Sequence, residues 1–249
     1  MASRPDEVLL QLAAKVEGIG LECHALKIGW YNAKVQPAFR LPYPEDTLAV
    51  LVISTPSMFE QLFLPYLATS YTQGQLDPLD QCLAEWFQSC KRLFPRWEIE
   101  AIQDFELYPT RRPKVLVQTA GHVAGAAYYY QRSDVPSPDP WTDKQKIFGV
   151  SVHPKYGGWF ALRGILIFKD LLAPGLQPNE PVDCVQTREK RIELLEKFNF
   201  NWQDWSYRDV FEGDVEERYS EQQKLYFATE PSKRFELIEG LTKTWRREV

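Results

Sequence analysis

Histidine and cysteine are scarce in this 249-residue chain, with 3 and 4 copies, and methionine occurs only 2 times. Three separated histidines (His24, His122 and His153) do not suggest a histidine-rich metal centre, and no protein ligand to a metal is assigned. Cys23, Cys82, Cys90 and Cys184 stand far apart without a C-x-x-C pair, which argues against a zinc ribbon and a disulfide framework. No apolar run reaches the roughly 18 residues of a membrane span. The opening Met-Ala-Ser-Arg-Pro-Asp-Glu lacks a signal-peptide core and is acidic by Asp6 and Glu7, so the expected location is cytoplasmic, with no membrane segment. Lys plus Arg number 29 against 34 Asp plus Glu, and basic residues cluster only in pairs, so no nucleic-acid partner is expected. A dinucleotide-binding G-x-G-x-x-G, a P-loop, H-E-x-x-H and a G-x-S-x-G elbow are all missing, and each takes a familiar chemistry with it.

What the chain has in excess is aromatic side chains: 8 Trp, 12 Tyr and 14 Phe. Such residues either fill a core or line a site for a flat ligand, and the chain is long enough for both a sizeable core and a large pocket.

Val8, Leu9, Leu12, Ala13 and Val16 recur at helical spacing and stop before Gly18 and Gly20. Thr47 to Ser54 is a continuous β-branched run bounded by turn residues, the pattern of a buried central strand. Helical patterns cover Pro56 to Ala68 and Pro78 to Leu93. Trp97 to Leu107 alternates as a half-buried strand with Asp104 on its polar side. After the rigid charged loop Pro109 to Pro113, Lys114 to Tyr130 reads as one long helix rich in small residues. Ser133 to Lys146 is a proline-rich surface loop, and Lys146 to His153 with Trp159 to Lys169 read as a hairpin around Pro154 to Gly158. Past Pro174 to Pro181 the charged helical patterns Thr187 to Phe198, Glu217 to Phe227 and Pro231 to Leu241 form a C-terminal helical extension. The expected class is α+β, a layered fold with an antiparallel-rich sheet flanked by helices. Residues 1–183 would form the main domain and 184–249 the extension.

The least ordinary segment is Gln118 to Gln131, Q-T-A-G-H-V-A-G-A-A-Y-Y-Y-Q. Each glycine inside a helix costs about 1 kcal/mol relative to alanine. Gly121 and Gly125 therefore serve either close packing or the approach of a flat ligand. On that helix Gln118, His122 and Gly125 share a face, and Tyr128, Tyr129 and Tyr130 point about 100° apart, so that at least one meets solvent or a ligand. Arg163 stands inside an apolar strand pattern, where a guanidinium needs an anionic partner: an internal carboxylate or a ligand. With Arg208 and Arg234 it would suit carboxylates, whose geometry matches the guanidinium fork, although spacing alone does not bring the three together.

Several long segments carry a resemblance: I-G-W-Y-N (28–32), R-R-P-K-V-L-V-Q-T-A-G-H-V-A-G-A-A-Y-Y-Y-Q-R (111–132), H-P-K-Y-G-G-W-F-A-L-R-G (153–164), F-N-F-N-W-Q-D-W-S-Y-R-D (198–209) and E-R-Y-S-E-Q-Q-K (217–224). In these the chain resembles the methylmalonic aciduria and homocystinuria type C (CblC) family of cobalamin-processing proteins over nearly its whole length. The resemblance implies a flavin-nitroreductase-like fold with cobalamin (vitamin B12) in a large pocket, held with its benzimidazole tail off the cobalt. It implies removal of the upper axial group by two routes: glutathione thiolate dealkylates alkylcobalamins, and a reduced flavin, FAD or FMN, drives decyanation of cyanocobalamin. A cobalamin-dependent oxidation of glutathione would be a side reaction. The resemblance places Asp104, Val115, Leu116, Val117, Gln118, His122, Tyr129, Tyr130, Gln131, Ser151 and Leu162 around cobalamin, and Arg163, Arg208 and Arg234 around glutathione. Ser151 stands where some members carry cysteine. The implied partners are an adaptor, the type D protein of the same pathway, and methionine synthase, with the chain a monomer or a ligand-promoted homodimer bridged by the Pro109 to Pro113 loop. The competing readings are a non-catalytic cobalamin carrier and a flavin-dependent nitroreductase-like oxidoreductase.

Overall fold

A computed structural model describes residues 4–72 and 77–248, with side chains through residue 241. The first three residues of the leader argument therefore lie outside the described residues. In chain order the elements are α1 (Arg4–Val16), β1 (Leu21–Lys27), α2 (Ile28–Lys34), β2 (Thr47–Ser54), α3 (Leu64–Thr69), α4 (Pro78–Leu93), β3 (Ile99–Gln103) and α5 (Val117–Val123). There follow β4 (Tyr128–Tyr130), β5 (Val150–Val152), β6 (Ala161–Leu172), α6 (Arg188–Phe200), α7 (Glu221–Ala228) and α8 (Arg234–Glu248). Short 3-10 and π turns join several of them, including two single turns between 202 and 209. No described helix is long and apolar enough to cross a membrane.

The main sheet has the order β1-β2-β6-β3 with every pair antiparallel, which bears out the antiparallel α+β expectation. Every residue of β2 is buried because helices cover both sheet faces. Leu48, Val50 and Val52 belong to a core with α1, α3 and α4. Ala49, Leu51 and Ile53 belong to a second core with α2 and α5. A third core unites β4, β5 and α6 around Tyr130, Val152, Leu194 and Phe211.

Two expectations are corrected. The long helix over 114–130 is a seven-residue α5 followed by a turn and β4. Gly125 has φ +71° and lies against Asn179, a conformation and a closeness that only glycine tolerates without strain. The three tyrosines therefore alternate across a strand instead of spiralling round a helix. The expected hairpin of residues 146–169 is also split. Its first strand pairs with β4 in a separate two-stranded sheet, and its second is β6 of the main sheet. The intervening turn closes on itself through paired bonds between His153 and Gly157.

Candidate functional site

Three connected hollows form a groove along the second and third cores. The first, of about 240 Å³, is walled by Phe160, Trp205 and Tyr219 and contains Arg163 and Arg208. The second, of about 490 Å³, lies between Gln118, Tyr129, Gly149 and Phe198. Trp202 and Tyr207 line both. The third, of about 360 Å³, is bounded by Lys34, Phe39, His122 and Gln131, and shares Gln118 and Tyr129 with the second. Two larger surface hollows, of about 600 and 660 Å³, contain none of the expected site residues.

Close approach shapes the middle of the groove. A Cβ on Gly149 would come within 2.6 Å of the Tyr129 ring, and one on Gly121 within 3.0 Å of Leu162, so glycine makes room at both positions. Ser151 sits opposite Tyr129 in the β4–β5 pair and thus on its face of the small sheet. The Ser151 hydroxyl is buried without a partner among the described residues. In the third hollow the Tyr129 N–H donates to His122 Nδ1 at 3.2 Å, so a neutral His122 carries its proton on Nε2. Burial, helped by the charge of Lys34, holds the His122 pKa below its ordinary value. At neutral pH this ring is a hydrogen-bond donor with little positive charge.

The first hollow has a different character. Arg163 is 8% exposed, and its Nε donates to the Ser54 hydroxyl at 2.8 Å. Arg208 donates to the Gly158 carbonyl and lies within 5.6 Å of the ring centres of Trp159, Trp205, Tyr207 and Tyr219. Among the described residues neither guanidinium forms an ion pair. Asp104 follows β3 beside Arg163, and its N–H donates to the Arg163 carbonyl at 3.2 Å. Desolvation raises the Asp104 pKa despite the opposing charge of Arg163.

The structure brings half of the expected site residues to the groove wall and sets the others behind it or apart from it. Leu116, Gln118, His122, Tyr129 and Gln131 line the groove, as do Arg163 and Arg208. Leu162 lies behind the groove against Gly121. Val115 is buried, and Val117 begins α5 within the second core. Tyr130 needs correcting: alternation along β4 turns it away from Tyr129 into the third core, where it is fully buried. Its hydroxyl donates to Asp183 at 2.6 Å and accepts from the Val185 N–H at 2.8 Å. Arg234 does not line the hollow beside Arg163; its Nε donates to the Thr229 carbonyl and its guanidinium covers Tyr226 at 4.7 Å. Sequence reasoning missed Phe148, Phe198, Trp202, Tyr207 and Tyr219 as groove residues. The only signal for Phe198, Trp202 and Tyr207 was the aromatic density around 198–207, and Phe148 and Tyr219 had none.

A separate cluster joins Glu22, His24 and His153, whose ligand-type atoms lie within 4.8 Å of one another. The Lys155 N–H donates to His153 Nδ1 at 3.1 Å, which leaves the neutral ring's proton on Nε2, facing Glu22 at 3.7 Å. That tautomer turns the Nε2–H of His153 toward the carboxylate and withholds the lone pair a cation would need. Burial pushes the Glu22 pKa up, but hydrogen bonds from His153, His24 and Tyr156 outweigh it and hold the carboxyl well below its usual range.

All four thiols are suppressed. Burial pushes Cys23, Cys82 and Cys90 up to about 12 and Cys184 to about 11. The protein therefore offers no thiolate of its own at neutral pH.

A chicken (Gallus gallus) protein named cyanocobalamin reductase / alkylcobalamin dealkylase is 56% identical over 238 residues, covering 96% of this chain and 98% of that protein. A human protein of the same name is 48% identical over 232 residues, covering 92% of this chain and 81% of that protein. The crystal structure of a C. elegans B12-trafficking protein CblC superposes with a TM-score of 0.82 at 33% identity, covering 95% of this chain and 96% of that one. The model of the methylmalonic aciduria and homocystinuria type C family matches residues 20–238, and the chain belongs to that family.

Proposed function

We propose that this protein is a cyanocobalamin reductase and alkylcobalamin dealkylase that uses glutathione as its thiol. The observation that carries this reading is the groove: wide and aromatic along most of its length, it ends beside two guanidinium groups that form no ion pair among the described residues. The wide part suits a corrin, with its tail in the hollow of His122 and Gln131. The neutral Nε2–H of His122 suits an acceptor on that tail, held away from the cobalt. The arginine end suits a dicarboxylate tripeptide, because a buried guanidinium gains most from an anion that reaches it in low dielectric. Residues beyond 184 supply Trp205, Arg208 and Tyr219 to this end, consistent with a C-terminal extension that completes the thiol site.

Chemically, the thiolate sulfur attacks the cobalt-bound carbon, the carbon–cobalt bond breaks, and both bonding electrons stay on cobalt. The protein contributes orientation and anion stabilisation, since its own thiols are un-ionised. A reduced flavin, FMN or FAD, would supply the electrons for decyanation, as the resemblance implies. Incubating the protein with methylcobalamin and glutathione tests the reading. It requires S-methylglutathione and the absorbance of reduced cobalamin, and their absence would refute it. Arg163→Ala should slow dealkylation while largely retaining cobalamin binding; a pure carrier would show no turnover to lose.

A further inference from the structure

We infer that Tyr207 is the hydrogen-bond donor that assists departure of an anionic axial group such as cyanide, and that it has no comparable part in alkyl transfer; this rests on the proposed function. Among the described residues only Trp202 and Tyr207 line both the arginine hollow and the wide hollow, so the two side chains stand where an axial group projecting from a bound corrin would meet the thiol site. Trp202 is 59% exposed, whereas Tyr207 is partly buried and packs edge-on against Phe198 at 5.1 Å. The phenol is thus the better-fixed donor at the junction.

Its protonation state suits that task. Burial raises the Tyr207 pKa against the pull of Arg208, so the phenol remains a donor throughout the neutral range. The Arg208 guanidinium lies 5.0 Å from the Tyr207 ring centre, close enough to favour negative charge building beside the ring.

The balance of the step explains the selectivity. In decyanation one electron from a reduced flavin or a chemical reductant enters cob(III)alamin, the cobalt–carbon bond breaks, and cyanide departs with the bonding pair. Its nitrogen can accept the Tyr207 O–H throughout, so the bond strengthens as charge develops and no proton need transfer. A methyl group has no lone pair and leaves on sulfur without charge, so the same O–H gains nothing there.

Tyr207→Phe keeps the ring and removes only the donor. Decyanation of cyanocobalamin with a saturating reductant should fall roughly 10-fold or more. Methylcobalamin dealkylation should fall much less, so that the ratio of the decyanation rate to the dealkylation rate drops about fivefold or more, while the dissociation constant from the base-off spectral shift changes far less than that ratio. Equal losses in both reactions would assign Tyr207 to packing and overturn the inference, as would an unchanged decyanation rate. Wild-type protein that performs neither reaction would refute the proposed function instead, so the two failures are distinguishable. Trp202→Phe serves as the second variant: if it, and not Tyr207→Phe, selectively lowered decyanation, the donor would be misassigned.

Discussion

Replacing Tyr130 with phenylalanine tests whether the adjacent tyrosines Tyr129 and Tyr130 have opposite duties. The hydroxyl of Tyr130 makes two buried bonds, at 2.6 Å to Asp183 and 2.8 Å from the Val185 N–H. After its removal Asp183 still holds Arg191 at 2.6 Å, and the Val185 N–H retains only a long contact of 3.3 Å to Asp183. A buried donor left poorly satisfied costs about 1–3 kcal/mol, and the remaining partners favour the middle of that range, about 2 kcal/mol. For a domain of this size that lowers the melting temperature by about 4–8 °C, which circular dichroism would read. A base-off titration should show cobalamin affinity unchanged in Tyr130→Phe and clearly weakened in Tyr129→Ala, whose ring lines two hollows. A Tyr130→Phe protein that melts normally, or binds cobalamin tenfold more weakly, would refute the assignment of Tyr130 to the core.

Gly149→Ala should weaken cobalamin binding about tenfold, about 1.4 kcal/mol, because the new Cβ meets both the Tyr129 ring and the Tyr130 carbonyl; isothermal titration would show it, and unaltered affinity would mean that the ring and the β4 backbone both give way without disturbing the groove. The folded-state pKa of Glu22 is depressed, so its contribution to stability is present above the ordinary carboxylate pKa and lost as pH falls below it. Since the side chain is 30% exposed, Glu22→Gln should cost about 1 kcal/mol at pH 7 and flatten the acid limb of the urea-denaturation profile. Asp80 has the opposite sign. Burial, then the charges of Asp77 and Asp104, push its pKa up to about 6 against the pull of Arg163 and Arg234. Stability should fall as pH rises through about 6, and Asp80→Asn should recover about 1 kcal/mol at pH 7 in the same assay.

The legible parts of the fold were those with strong local patterns. Thr47 to Ser54 is apolar at consecutive positions because both faces of β2 are covered, and α4 begins one residue after its cap, Asp77. The error at 114–130 came from reading alanine and glycine as helical while discounting three consecutive tyrosines, which favour strand, and Gly125, whose positive φ ends the helix. The false hairpin arose because sequence proximity does not reveal that β5 and β6 enter different sheets. At the site, the resemblance pointed to Gln118, His122, Tyr129 and Gln131, and the groove brings them together. For Trp202 and Tyr207 the aromatic density around 198–207 was the one sign, and it could not show their roles, which come from tertiary placement between two hollows.

The middle hollow joins Gln118 and Tyr129 to Phe148 and Gly149 and to Phe198, Trp202 and Tyr207, three stretches widely separated along the chain. Such a wall exists only when all three stretches are docked, so the cavity is a product of long-range closure rather than of any local unit. A molecule seated there acts as mortar between distant parts of the chain. At a hundredfold excess over its dissociation constant it adds about 2.7 kcal/mol to the closed state. Proteolysis within 198–209 should therefore slow when cobalamin is bound, which makes resistance to cleavage a direct gauge of loading.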